Sequence, residues 1–165
     1  KGVEVGGLSR DQRALIRRNF LGFVFQGFNL LARTSALENV ELPLIYRGMG
    51  LKARRSMAMQ ALAKVGLSGR ERHSPGEMSG GEQQRAAIAR ATASHPDVLL
   101  ADEPTGNLDT ARSREIMELL TNLNRDDGIT IIMVTHEREM AEYADRIILF
   151  VDGKIASDGR TRSAA

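Results

Sequence analysis

Three short apolar runs set the plan of this chain. Leu21-Gly22-Phe23-Val24-Phe25, Val98-Leu99-Leu100-Ala101 and Ile129 to Val134 are each free of charge and only a few residues long. Such runs predict strands buried on both faces, as in a parallel sheet flanked by helices. The stretches between them have helical periodicity. Ser9-Arg10-Asp11-Gln12, Ser35-Ala36-Leu37-Glu38 and Ser79-Gly80-Gly81-Glu82 all have capping-box spacing, in which a serine hydroxyl and a Gln or Glu satisfy each other's orphan amides. They predict helices from about Arg10 to Asn19, from Ala36 until Pro43 bends or ends it, and from Gly80 through Ala91. Lys52 to Val65 is amphipathic, with Ala58, Ala61, Leu62 and Val65 on one stripe and Gly66 placed for a left-handed cap.

Further on, Ile116, Leu119, Leu120 and Leu123 share one face of a helix that Asp126-Asp127-Gly128 breaks, and Glu137 to Tyr143 is a short helix. Ile147 to Val151 and Lys154 to Ala156 flank Asp152-Gly153, a two-residue hairpin turn. Lys1 to Gly7 alternates as a strand whose beginning lies upstream, and residues 157–165 read as a frayed tail. The expected architecture is α/β. A mostly parallel sheet core (1–26 and 94–156) receives an inserted, largely helical section (27–93).

Composition narrows the function classes. A chain of 165 residues with 42% hydrophobic and 27% charged residues has the make-up of one soluble globular domain with a proper core. Lys plus Arg is 23 against 21 for Asp plus Glu, too even a balance to imply a nucleic-acid footprint by itself, although the sequence pI of about 9.3 keeps that question open. Aromatics at 4% with no Trp leave little for a base-stacking platform. The absence of Cys excludes disulfides and thiolate metal sites. No apolar run approaches the ~20 residues of a membrane span and no signal peptide is visible, so the expected location is the cytosol.

The chemistry gathers at strand ends. Gln26 follows the first strand, Asp102-Glu103 the second, and His136 the third. Open α/β sheets bind ligands at the carboxyl ends of their strands. Paired acids there can divide the work, one holding magnesium and the other orienting a water. Ser79-Gly80-Gly81 opens a helix with bare glycine amides, a ready anion site. Taken singly, His136 is an ordinary helix-start histidine and Gln26 a strand-end residue; their company promotes both. His73 and His95 read as structural, and the Arg17-Arg18 and Arg54-Arg55 pairs as solvated helix faces.

These residues also carry a resemblance. Met78-Ser79-Gly80-Gly81-Glu82-Gln83-Gln84-Arg85 resembles the signature motif of ABC transporter ATP-binding subunits, with Met where Leu is usual. Val98 to Glu103 resembles their Walker B strand, Asn107-Leu108-Asp109 the D-loop, His136 the switch histidine and Gln26 the Q-loop. Phe23-Val24-Phe25-Gln26, Glu38-Asn39-Val40-Glu41-Leu42-Pro43 and Ala101 to Asp109 are similar to the macrolide-exporter and lipoprotein-releasing subgroup. The resemblance implies a P-loop NTPase-like fold and ATP with Mg2+ as ligands. It implies that Glu103 is the general base and His136 the γ-phosphate contact. Asp102 and Gln26 then serve the metal, while Ser79, Gly80, Gly81 and Glu82 serve ATP held by a second ATP-binding domain in a head-to-tail dimer. Asp109 crosses that dimer interface. It further implies a transmembrane permease partner docking on residues 27–50 and a peripheral position at the inner face of the cell membrane.

One departure is large: no G-x-x-x-x-G-K-S/T occurs in these 165 residues. The resemblance therefore covers roughly the last two-thirds of the family's domain, without the phosphate loop. The expectation is that the chain alone neither binds ATP tightly nor hydrolyses it, and that exposed strand edges make it prone to aggregate. Two other classes share parts of the pattern. DNA-repair and chromosome ATPases of ABC type place a long coiled coil between the Q-loop and the signature, whereas the interval here is short and lacks sustained heptads. A non-enzymatic regulatory fragment would lend its signature motif to an intact partner. Phe28, Leu30 and Leu31 directly after Gln26 read as exposed apolar residues of the permease-docking region.

Overall fold

The computed structural model describes Gly2 and residues 4–161. The chain forms helix α1 (Arg10–Phe20), strand β1 (Leu21–Phe25), helices α2 (Ala36–Tyr46), α3 (Leu51–Lys64) and α4 (Gly80–Thr92), and strand β2 (Val98–Asp102). Helix α5 (Thr110–Asp127), strand β3 (Thr130–Val134), helix α6 (Arg138–Ala141) and the hairpin β4 (Arg146–Val151) and β5 (Lys154–Arg160) follow. β1, β2 and β3 make a parallel sheet in that spatial order. The register sets Phe25 beside Asp102 and Asp102 beside Val134, so the carboxyl ends of all three strands are level. The mixed α/β architecture is the expected one.

All three capping boxes form as read. Ser9, Ser35 and Ser79 each accept the N3 backbone amide, while Gln12, Glu38 and Glu82 return the bond to the cap. Gly66 takes φ +77 after α3, and the Leu67 amide reaches back to the Leu62 carbonyl at 2.9 Å. α2, α3 and α4 pack on one another, and α4 also lies on β1. That last approach needs Gly22, since a Cβ there would come within 2.5 Å of the Ala91 carbonyl oxygen. The core unites Val24, Leu99 and Ala101 of the sheet with Val40, Leu44, Leu62, Ile88, Ile116, Leu120 and Leu123 of the helices.

The structure corrects several expectations. The strands are not buried on both faces. Gly22, Val24, Leu99 and Ala101 turn inward, whereas Ile132 and Val134 on the opposite face are 54% and 60% exposed. An uninterrupted apolar run cannot distinguish one covered face from two. Pro43 does not end α2, which runs three residues further; the Arg47 amide still reaches the Pro43 carbonyl at 3.2 Å. Residues 157–160 are not a tail but continue β5 opposite Arg146 to Leu149, where Arg146 pairs with Asp158 at 2.6 and 2.8 Å. Their polar composition hid a strand held by backbone pairing. Residues 4–7 form no strand, and the rest of that expectation, on Lys1 and Val3, lies outside the described residues. Arg54 is not solvated; it lies half-buried 3.8 Å from the buried carboxylate of Glu41.

Candidate functional site

β2 delivers Asp102, exposed at the strand tip, and Glu103 directly after it. Glu103 bends sharply: its φ is +48, a left-handed conformation that costs a non-glycine residue free energy. The bend is held by the Glu103 amide donating to the Val134 carbonyl (2.9 Å) and the Gly106 amide donating to the Glu103 carbonyl (3.1 Å). It turns the Glu103 side chain toward the end of β3. There Glu103 Oε1 meets His136 Nδ1 at 2.6 Å. This contact holds the His136 imidazole above its ordinary pKa, first by the hydrogen bond and then by the carboxylate's charge. The other oxygen, Oε2, is buried without a hydrogen-bond partner.

Gln26 stands on the other flank of Glu103, after β1. Asn107 donates its side-chain amide to the Gln26 carbonyl at 2.9 Å, and Gln26 Nε2 lies 3.5 Å from Asn107 Oδ1. Gly106 makes room for this clasp, because a Cβ there would sit 2.7 Å from Gln26 Nε2. After Gln26 the chain turns through left-handed Phe28 (φ 60) and Asn29 (φ 51). Arg90 of α4 donates to both of their carbonyls, at 2.9 and 2.5 Å. Three strand tips thus bring Gln26, Asp102, Glu103 and His136 to one edge of the sheet. Thr105 hydroxyl to Glu137 carboxylate (3.3 Å) adds a further tie across that edge.

The signature-like segment is a separate feature. Ser79 caps α4, and its own amide donates to Glu82 Oε2 at 2.8 Å. That bond holds the Glu82 carboxyl below the usual carboxylate range. Glu82 Oε1 pairs with Arg70 at 3.2 Å, so both of its oxygens serve the loop itself. Among the described residues no hydrogen bond joins Ser79, Gly80 or Gly81 to Gln26, Glu103 or His136. Asp109 caps α5, accepting the Arg112 amide and guanidinium at 3.0 Å each; the amide bond is the larger cause of its lowered pKa. The Arg112 stem runs alongside Gly81, 3.2 Å from where a Cβ would stand.

Of the three apolar residues after Gln26, the structure leaves Leu31 exposed, at 49%. Leu30 packs against the core and Phe28 is half-buried beside Gly80, contrary to expectation. The Leu31 backbone is fixed by buried Asn39, which accepts its amide at 2.7 Å and donates to its carbonyl at 3.2 Å. Sequence reasoning read Gln84, Thr105, Gly106 and Asn107 only as parts of motifs, and passed over Glu137 as a functional candidate. Their roles rest on contacts between segments distant in sequence, which no local pattern announces.

A level row of polar strand tips on a parallel sheet defines an open α/β protein of the kind that binds its ligand at the carboxyl ends of the strands. The comparisons specify which kind. Residues 4–106 match the family model of the ABC transporter. The chain is 53% identical over 163 residues to the macrolide export ATP-binding/permease protein MacB of Chlorobaculum tepidum, covering 99% of this chain and 25% of that protein. It is 49% identical to the ABC transporter ATP-binding protein YknY of Bacillus subtilis, covering 96% of this chain and 70% of that one. The dimeric ATP-binding cassette MJ0796, in a post-hydrolysis state bound to ADP and Pi, superposes with a TM-score of 0.85 at 42% identity, over 98% of this chain and 72% of that one. This chain belongs to the ABC transporter ATP-binding family. It spans about a quarter of the length of the MacB relatives it matches.

Proposed function

We propose that this chain is the hydrolytic part of an ATP-binding subunit that powers an ABC-type exporter, with two copies sharing each ATP. The observation that carries the reading is the Glu103–His136 contact at 2.6 Å beside an orphaned, buried Glu103 oxygen. Phosphoryl transfer asks the protein for positioning and charge compensation more than for covalent chemistry. Glu103 Oε2 accepts a proton from the water that attacks the γ-phosphorus as the bond to the β-phosphate oxygen breaks. His136 is held through Nδ1, which leaves Nε2 for a γ-phosphate oxygen.

The exposed Asp102 carboxylate and the Gln26 amide oxygen are hard oxygen donors of the kind Mg2+ prefers. Asp102 and Gln26 would hold Mg2+ at this edge, where the ion would supply charge neutralisation to the phosphates. Ser79, Gly80 and Gly81, with Glu82 holding the Ser79 amide in place, serve ATP on the opposite subunit, and Asp109 lies at the interface between the two copies. The MJ0796 cassette, which is dimeric and bound to ADP and Pi, supports both the ligand and the assembly. Residues 27–50, with Leu31 presented on a rigid backbone, dock the transmembrane permease and hold the subunit against the cytoplasmic face of the membrane. The names of the MacB relatives, which join ATP-binding and permease functions, favour this partner over nucleic acid.

The test is steady-state ATP hydrolysis by the full-length protein with Glu103→Gln. Turnover falls by on the order of 10²–10³ while ATP affinity stays within about twofold, as expected for a general base that acts in the transition state. Unchanged turnover refutes the reading.

A further inference from the structure

Gln84 lies just over one helical turn inside α4 and is 0% exposed. Its Nε2 donates to the carbonyl of Pro104 at 2.5 Å, and its Oε1 is buried with no partner. The amide orientation is not arbitrary. A carbonyl offers only an acceptor, so the nitrogen must face Pro104. A buried glutamine with one end unsatisfied costs stability compared with an apolar side chain of the same size. The position therefore carries an unsatisfied amide oxygen beside the one bond that serves the buried Pro104 carbonyl.

That bond joins two segments of different duty. Pro104 directly follows Glu103, whose left-handed backbone persists only when its surroundings over-determine it. Gln84 stands in the helix that Ser79, Gly80 and Gly81 open. The same two segments touch twice more: Leu108 lies 3.5 Å from the Cβ position of Gly80, and Arg112 lies 3.2 Å from that of Gly81. The start of α4 is therefore seated on the 104–112 segment along its length. Gln84 is the buried polar pin among these contacts.

We infer that Gln84 is a positioning residue that ties the helix start of one chain to its own Glu103 turn, and so couples two ATP sites. The inference rests on the proposed head-to-tail sharing, in which one chain gives Ser79–Gly81 to one ATP and Glu103 to the other. Displacement of α4 on engaging the first ATP pulls on the Pro104 carbonyl. The turn that aims Glu103 at the second ATP then responds. Coupling of this kind needs a contiguous, specific contact between the two segments, and Gln84–Pro104 is one.

The experiment compares wild type, Gln84→Met and Glu103→Gln in the full-length protein. Met is close to Gln in length and shape and has no donor, so the pin is lost with little change in packing. The readouts are thermal midpoint, ATP affinity by calorimetry, and turnover as a function of ATP concentration. For Gln84→Met the inference expects a thermal midpoint lowered by only a few degrees, since the Pro104 carbonyl loses its donor, with ATP affinity within about twofold, turnover reduced on the order of tenfold, and a Hill coefficient falling toward one. Gln84→Glu gives a second reading, because a protonated carboxyl can donate to Pro104 and an ionised one cannot. Its turnover recovers as pH is lowered relative to wild type measured at the same pH. Wild-type turnover and cooperativity in Gln84→Met overturn the inference. So does a lowered thermal midpoint with affinity and turnover lost in parallel, which makes Gln84 a packing residue. Failure of the underlying reading is separate, since it appears as unimpaired hydrolysis in Glu103→Gln, or as a mixture of full-length Ser79→Arg and Glu103→Gln that regains no hydrolysis.

Discussion

His136 and Glu103 form the contact on which the proposed chemistry turns, and its electrostatics give a sharp prediction. The hydrogen bond and negative charge of Glu103 raise the His136 pKa in the folded chain. A raised folded value means that the protonated pair stabilises the fold below the ordinary imidazole pKa of about 6.5. That contribution disappears as pH rises through the folded value. Titration of the His136 ring followed by NMR should therefore give a midpoint above the ordinary one, and Glu103→Gln should bring it down. An unchanged midpoint in the variant would mean that the two side chains do not meet in solution.

Among the elements, the seating of α4 on β1 bears the most weight, because it fixes the sheet against the helix that carries the signature residues. Gly22→Ala forces a methyl to within 2.5 Å of the Ala91 carbonyl oxygen and 3.0 Å of Leu99 Cδ1. The first of these is backbone and cannot swing aside, so overpacking of about 1–3 kcal/mol is expected in chemical denaturation. A variant as stable as wild type would contradict this packing. The element scale also shows what was legible beforehand. Capping boxes at Ser9, Ser35 and Ser79 placed three helix starts, because a cap is local chemistry readable from four residues. The strand tips carrying Gln26, Asp102, Glu103 and His136 were legible as well, since each ends an apolar run. The open face of β3 was not, nor was the strand at 157–160, because neither burial nor pairing is encoded in a short window. The Gln26–Asn107 clasp and the Gln84–Pro104 pin were invisible for the same reason: each joins segments distant in sequence.

On the scale of the whole molecule, apolar surface points in two directions. Ile132 and Val134 on β3, and Phe150 and Ile155 on the β4–β5 hairpin, leave apolar side chains open at 54–62% exposure. Leu31 is a different case, a single exposed side chain on a backbone clamped by Asn39. Leu31→Asp in the full-length protein is expected to abolish co-sedimentation with membranes while leaving basal hydrolysis within about twofold of wild type, since an exposed charge there costs the fold little. Equal loss of both activities would assign Leu31 to the core. The central claim, that one ATP is shared between the strand tips of one copy and the α4 start of another, is tested most directly by complementation. Full-length Ser79→Arg and full-length Glu103→Gln are each prepared alone and then mixed, and ATP hydrolysis is measured. If the site is shared head to tail, each variant alone is inactive and the mixture regains hydrolysis, because one of its two sites combines an intact Glu103 with an intact Ser79. A mixture as inactive as its components would show that each copy relies on its own Ser79, and would contradict the account.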